Sequence, residues 1–510
     1  MREKEYLERR YAAILSATGV ILALSGGVMF SPLLALLFFP EEAGNALAFV
    51  APAAILELVG LVLWRLFRPA SPVSLSIQEG GVIVLLSWVA VILFSAWPFI
   101  SVVGLDFSGA VFEAVSGWTT TGLSVVDVAG AGRMILIWRS TMQLAGGAGL
   151  AILMMSALVG PTGVGISSAE GRSEQLVPQV RRSARLVLMI YTVYAAAGTW
   201  AYYLAGMSPF DALNHAFAAV STGGFSTRVE SLGYWDSPAL EAVTLPLMLL
   251  GNLSFVTAWF LWRGKLRFVA RHGEVRLLAV LIPISAAAVF LFTSQALYTP
   301  AGKAMRVAVF ETISALTTTG FSTVSYQNWN SVGLLTLIVL MLIGGGTCST
   351  AGGLKQFRVH LLWKLLVWEI GRLLLPRTAV LERPVWEGDR QVFVDDARVR
   401  QVCVFVFLYL ATYALGALLL CACGIPLQDS LFEFASALGT VGLSIGVTSA
   451  HMPKAALWAE TLAMFLGRLE FFVVLVSLFK LVGDSGRWLA SRPDEKAAWA
   501  MGTGFGKKAG

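Results

Sequence analysis

The chain has 510 residues, of which 57% are hydrophobic and only 13% charged, and its mean hydropathy is +0.74. A soluble globular domain of ordinary composition is excluded, and the balance points to a polytopic membrane protein. The formal charge of +6 does not mark a nucleic-acid binder, because the basic residues lie between apolar runs instead of in one patch.

In chain order, apolar runs long enough to cross a hydrocarbon core of about 30 Å lie near residues 12–39, 46–67, 79–103, 134–159, 184–206, 240–262, 275–297, 331–345, 400–423 and 455–482. The charged N-terminus, MREKEYLERR, leads into the first run without a small-residue cleavage site, so this run reads as a retained helix. Arg65 and Arg68, then Arg181, Arg182 and Arg185, then Arg263, Lys265, Arg267 and Arg271, fall at alternate ends of the runs, with Glu41 and Glu42 on the other side. By the bias of Lys and Arg toward the cytoplasm, these loops and both termini are expected inside. The loop from Lys355 to Arg400 is the longest connection on that side. Cys348, Cys403, Cys421 and Cys423 lie in or beside apolar sequence and suggest neither a disulfide framework nor a metal site.

Between the runs one motif occurs four times: Phe112 to Ser124 (FEAVSGWTTTGLS), His215 to Ser226 (HAFAAVSTGGFS), Phe310 to Ser322 (FETISALTTTGFS) and Phe432 to Ser444 (FEFASALGTVGLS). Their glycines, Gly122, Gly224, Gly320 and Gly442, recur at intervals of 102, 96 and 122 residues, matching a unit of span, short helix, turn and span. Asp106 with Ser108, Ser208 with Pro209, and Asp429 with Ser430 read as starts of the short helices. Glu113, Glu311 and Glu433, with His215 in the second unit, read as early-turn residues: the acids as helix-start charges and the histidine as a hydrogen-bonded scaffold. Such a helix of about ten residues rises roughly 15 Å and cannot cross a bilayer. It must enter and turn back, and irregular backbone at that depth persists only where protein or water satisfies it. Glycine at the turn lets successive carbonyl oxygens face one axis, and the negative helix ends point there too. A cation site follows.

The span after the third turn breaks at IGGGTCSTAGGLKQFR. Each interior glycine costs a helix about 1 kcal/mol against alanine, so Gly344, Gly345, Gly346, Gly352 and Gly353 predict a loop at membrane depth. Arg468 and Glu470, in LGRLEFF, are too costly to face lipid and are expected inside the bundle. A pair between them is one reading, although a spacing of two does not put them on one helical face. No HExxH, CxxC or P-loop pattern occurs, which argues against an enzyme.

The four span, pore-helix, span units resemble the Trk/Ktr/HKT superfamily of potassium transporters and channels over nearly the whole chain. The two preceding helices favour its Trk-type pore-forming subunit. The resemblance implies an all-α polytopic fold in which residues 1–70 hold two extra N-terminal helices. Four pore repeats follow at 71–165, 166–270, 271–395 and 396–485, in pseudo-fourfold array around one pore, with a cytoplasmic tail at 486–510. It implies potassium coordination by the backbone at Thr120, Thr121 and Gly122; Thr222, Gly223 and Gly224; Thr318, Thr319 and Gly320; and Thr440, Val441 and Gly442. Gly223 and Val441 depart from the second threonine of the other repeats and make the ring asymmetric, which leaves room for relaxed selection of potassium over sodium. The resemblance further implies an intramembrane gate made of Gly344, Gly345, Gly346, Thr347, Cys348, Ser349, Thr350, Gly352, Gly353 and Lys355. Arg468 would lie beside that loop, hold it closed and add a positive barrier.

The implied function is potassium uptake down an electrochemical gradient at the plasma (bacterial inner) membrane. The permeant ion would be potassium, with rubidium or sodium as competitors. No organic cofactor and no nucleic acid is expected. The implied partners are a second copy of the chain in a homodimer and a cytoplasmic ring of nucleotide-binding subunits formed by a separate protein. The loop at 263–276, the loop after Lys355 and the tail from Lys480 are candidate docking surfaces by topology. The competing reading, a secondary transporter coupling an ion gradient to solute uptake, fits poorly with units that all run in one direction.

Overall fold

A computed structural model describes residues 2–69, 73, 75–149, 180–376, 384–387 and 390–490. Two helices come first, α1 (Arg2–Met29) and α2 (Ala46–Leu66), packed tightly along their length. They approach so closely that a Cβ placed on Gly19 would lie 2.6 Å from the Gly60 carbonyl oxygen, the small-residue contact expected where lipid gives helices no hydrophobic reason to associate. Arg10 of α1 forms an ion pair with buried Glu79, which also caps the next helix through Ser76. The N-terminal pair is thereby fastened to the first repeat.

Each repeat then places a span, a short buried helix and a second span. The first spans are α3 (Ile77–Ser95), α6 (Val180–Leu204), α10 (Gly273–Val289) and α14 (Asp396–Ala422). The short helices are α4 (Phe107–Trp118), α7 (Pro209–Val220), α11 (Ala301–Leu316) and α15 (Leu427–Gly439). Asp106 and Ser208 cap α4 and α7 as their sequence suggests, accepting from the Gly109 and Asp211 amides, with Pro209 in the first turn. α15 differs: it begins two residues before Asp429, behind Pro426, and no side chain caps it. Phe112, Phe310 and Phe432 occupy one equivalent position in three short helices and are fully buried, so these helices form the centre of the bundle.

The second spans of repeats two, three and four break. α5 (Arg133–Gly147) is described as far as Gly149, and the expected continuation to residue 159 lies outside the described residues. In repeat two, α8 (Pro238–Asn252) and α9 (Phe255–Trp262) meet at 117°, and in repeat four α16 (Lys454–Leu469) and α17 (Phe471–Ala490) meet near 99°. The continuous spans expected at 240–262 and 455–482 are therefore corrected to bent pairs. In repeat three, α12 (Ser331–Ile343) ends in the glycine-rich loop before α13 (Gln356–Leu374). Among the described residues six helices are long and apolar enough to cross a membrane, or eight if each bent pair is one span. The protein is an all-α polytopic membrane protein; a two-strand hairpin, β1 (Pro384–Glu387) and β2 (Arg390–Phe393), decorates the connection after α13.

Candidate functional site

The four turns share one backbone geometry. Thr120, Thr222, Thr318 and Thr440 all have left-handed φ, between 51° and 56°, and the glycine two residues later is also left-handed in every case. In each turn the middle amide returns to its own helix: Thr121, Gly223, Thr319 and Val441 donate to the carbonyls of Ser116, Ala218, Ser314 and Ser436 at 2.8–3.0 Å. The turns then close on one another in cyclic order. A Cβ on Gly122 would lie 2.3 Å from Gly223 O, on Gly224 2.2 Å from Thr319 O, on Gly320 1.9 Å from Val441 O, and on Gly442 2.2 Å from Thr121 O. Four backbones thus meet edge to edge in a ring where only glycine leaves room. The C-terminal ends of four helices converge on it, and such ends attract cations.

The departures from a second threonine lie behind the ring. Thr121 and Thr319 turn their hydroxyls to Thr119 and Thr317 at 2.7 and 2.8 Å, against their own helix ends. In repeat two the space beside Gly223 is taken by Gln143, whose amide donates to Gly223 O and accepts from the Phe225 amide at 3.2 Å. In repeat four it is taken by the buried Val441 side chain. The ring backbone is preserved while the packing behind it varies.

Glu113, His215, Glu311 and Glu433 are all fully buried. The acids are not early-turn charges, since Glu113 and Glu433 stand in the middle of their helices and Glu311 further along still. Each instead holds the chain as it leaves the ring. Glu113 accepts from Ser124 Oγ and the Val125 amide at 3.0 Å. Glu311 accepts from the Thr323 amide and hydroxyl at 2.8 and 2.7 Å, and from Tyr326. Glu433 accepts from Ser444, Ile445, Val447 and Thr448 at 2.6–3.2 Å. His215 meets Ser226 Oγ at 2.9 Å, which agrees with a scaffold role. Arg139, absent from the sequence reading, bonds Glu113 at 2.7 Å and the Ser226 carbonyl at 3.1 Å, and its guanidinium lies 3.9 Å from the Phe225 ring centre. It joins repeats one and two. A lone arginine inside the apolar run at 134–159 was the signal that could have found it.

Directly against the ring lies the Gly344–Lys355 loop, with Thr347 and Lys355 half-buried and the residues around them buried. It touches the left-handed threonine of every repeat. Thr350 Oγ1 bonds Thr222 Oγ1 at 2.9 Å, the Thr350 carbonyl is 3.5 Å from Thr120 Oγ1, and the Gly352 amide donates to Thr318 Oγ1 at 2.9 Å. A Cβ on Gly352 would lie 2.0 Å from Thr440 Oγ1. Gly344, Gly353 and Lys355 have left-handed φ, as does Cys348, and Lys355 folds its ammonium back to the Ala351 carbonyl. Ser349 stiffens the turn by donating to Gly346 O at 2.6 Å.

Side chains from repeats two, three and four hold this loop, and repeat one holds Arg468. Arg468 donates to Thr350 O at 2.6 Å and to Gly146 O at 2.5 Å. Its pairing with Glu470 does not occur, because Glu470 bonds Arg358 of α13 at 2.9 and 3.0 Å. Asn252, at the α8–α9 break, accepts the Gly346 amide through its backbone at 3.2 Å and its side chain at 3.3 Å, and its side chain also takes Gln356 Nε2 at 3.3 Å. Glu274, fully inside at the start of α10, accepts the Thr347 amide at 2.7 Å. Asn252, Glu274 and Gln356 were not singled out from sequence.

Known proteins resemble this chain over most of its length. The model of the TrkH family, described as cation transport protein, matches residues 47–487. The chain belongs to the TrkH cation transport family. It is 33% identical over 488 residues to the Trk system potassium uptake protein TrkI of Halomonas elongata, covering 92% of this chain and 96% of that one. It is 31% identical over 469 residues to an uncharacterised cation transporter of Methanocaldococcus jannaschii, covering 91% and 94%. The crystal structure of the potassium transporter TrkH from Vibrio parahaemolyticus aligns with a TM-score of 0.79 at 28% identity, covering 91% of this chain and 98% of that one. The family consists of cation transporters and not enzymes.

Proposed function

We propose that the chain is a potassium uptake subunit in which ions cross through the ring of four turns, with the carbonyls of Thr120, Thr121, Gly122 and their counterparts replacing water around the ion. The observation that carries this reading is the cyclic closure of Gly122, Gly224, Gly320 and Gly442 on the neighbouring turns. Inverted repeats of a coupled transporter would not produce four equivalent turns in one cyclic order. Contact of the Gly344–Lys355 loop with all four threonines supports its reading as a closed gate, with Arg468 as both a hydrogen-bonding strut and a positive charge beneath the ring. The permeant ion is substrate; the chain needs no organic cofactor for this. Assembly as a homodimer, control by a separate cytoplasmic nucleotide-binding ring, residence in the bacterial inner membrane and cytoplasmic termini complete the reading.

The test is cation flux into proteoliposomes holding the purified chain, comparing potassium, rubidium, sodium and lithium, with Gly320→Ser alongside. At Gly320 φ is +78° and a Cβ would meet Val441 O at 1.9 Å, so any side chain must push two turns apart. Flux selective for potassium and rubidium that loses selectivity in the variant is the expected result. Flux that requires a second solute and ignores Gly320→Ser would favour the coupled transporter instead.

A further inference from the structure

The four residues that hold the outgoing chain are equivalent in position but not in charge. Glu113 faces Arg139, His215 bonds a serine, and Glu311 takes a tyrosine hydroxyl. Among the four, Glu433 alone shares a hydroxyl with a second acid. Thr448 Oγ1 lies 3.0 Å from Glu433 Oε2 and 3.1 Å from Glu460 Oε2, and both carboxyl groups are fully buried. The other Glu460 oxygen, Oε1, is buried with no hydrogen-bond partner. A threonine hydroxyl has one hydrogen and can donate to one of the two carboxyls only. The remaining contact needs a hydrogen from a carboxyl group. Glu433 already accepts from Ser444, Ile445 and Val447 as well as Thr448, so it takes the negative charge, and Glu460 holds the hydrogen and donates it to Thr448.

Among the described residues, the elements packed on α16 bring no cation to balance a second charge on Glu460. α15 brings Glu433 itself. α4 brings Glu113, already paired with Arg139, and Asp106, which pairs with Lys454 at the outer end of α16. α14 brings Tyr409 and Tyr413, the latter donating to the Leu431 carbonyl. α17 brings Lys480 and Asp484, paired with each other beyond the bend.

We propose, resting on the reading of the ring as the permeation filter, that Glu460 is a proton-binding site whose occupancy sets the wall of the fourth quadrant. Protonated, Glu460 completes the bridge through Thr448 to Glu433 and fixes the chain leaving Gly442. When it releases its proton to solvent, two like charges share one hydroxyl, the bridge opens, and the Ser444–Thr448 segment loses its outer support. Potassium selectivity therefore depends on pH through this one quadrant.

The experiment measures potassium-to-sodium flux ratios in proteoliposomes with equal pH on both faces, stepped from about 6 to about 9, a span that covers known buried glutamates. In the unmodified chain the ratio falls several-fold as pH rises. Glu460→Gln, which keeps the shape of the protonated acid, flattens the profile at its acid-side value, while Thr448→Val gives the lower ratio at every pH. Infrared difference spectra of the same samples provide a readout independent of transport: the carbonyl stretch of a protonated carboxyl group is present in the unmodified chain and lost in Glu460→Gln. A Glu460→Gln profile that tracks the unmodified one, or absence of that band at every pH, overturns the proposal. Loss of selective flux in the unmodified chain with the band retained would instead overturn the filter reading and leave the proton site standing.

Discussion

Arg468→Ala is the sharpest perturbation of the loop beneath the ring. The guanidinium bonds the Thr350 carbonyl of the loop at 2.6 Å and the Gly146 and Gly147 carbonyls of α5 at 2.5 and 3.3 Å. Thr120 Oγ1, also near Thr350 O, is 3.5 Å away, longer than a strong hydrogen bond. One hydrogen bond from a charged donor contributes about 1.5–3 kcal/mol. If the Thr350 bond exists only while the loop closes the ring, its loss raises the ratio of open to closed protein by about ten- to a hundredfold, at 1.4 kcal/mol per factor of ten. Rubidium uptake into proteoliposomes without any partner protein reads this directly, normalised to protein that elutes as a single species. Arg468→Lys separates the two roles. It keeps the charge but cannot span two carbonyl groups in the planar fork of arginine, so it leaks less than alanine and more than the unmodified chain. Alanine-variant flux equal to the unmodified chain, from well-folded protein, would refute the reasoning.

Two further outcomes follow from contacts around the same frame. Glu274→Ala leaves the Thr347 amide without its carboxylate acceptor, costing about 1–3 kcal/mol; it lowers the melting temperature and raises basal rubidium flux, whereas Glu274→Gln, which retains an acceptor, stays closer to the unmodified chain in both measurements. Outside the membrane, the Lys303 ammonium, with Arg306, holds the Asp236 carboxyl below its ordinary range. The stabilisation from this pair is therefore present above the ordinary aspartate range and lost as pH falls through the depressed value. Because Asp236 is more than half exposed, Asp236→Asn lowers stability at neutral pH by no more than about 1 kcal/mol, an effect that salt weakens and acid abolishes in thermal melts.

Much of the ring was legible because its geometry demands particular residues. A left-handed position two residues before a tight backbone approach leaves a hydroxyl-rich, glycine-ended signature, and four copies at similar intervals announce the quadrants. The loop was legible for a related reason, since its glycines are incompatible with a continuous helix. The bends in repeats two and four were not. At Asn252 the interruption is settled by partners about a hundred residues away, Gly346 and Gln356, which take its side chain. A local sign was present in Ser254, which caps α9 by accepting from the Thr257 amide at 3.1 Å. At Glu470, with φ of +58°, the interruption coincides with its bond to Arg358, 112 residues earlier, and no neighbouring residue hints at it. The role of Glu113, Glu311 and Glu433 was misjudged because helix-start chemistry is local, while their actual partners lie on the far side of the turn.

The second spans lose their helical path near one level of the bundle, at Asn252, Gly344 and Glu470, and repeat one brings the Gly146 and Gly147 carbonyls to that level. This common interruption is what makes room for a loop. Repeat three fills the space; repeats two and four bond the loop through Asn252 and Arg468, and repeat one anchors Arg468 through the Gly146 carbonyl. A helix running straight through would have internally satisfied its carbonyls and amides and offered the loop nothing. Release of the loop then has to break polar contacts to several repeats together, which favours two discrete arrangements over gradual movement. α13 is attached to this assembly twice, covalently through Lys355 and again through Arg358 to Glu470, two residues beyond Arg468. Force applied to α13 from the loop-and-hairpin side therefore reaches both the loop and the residue that holds it.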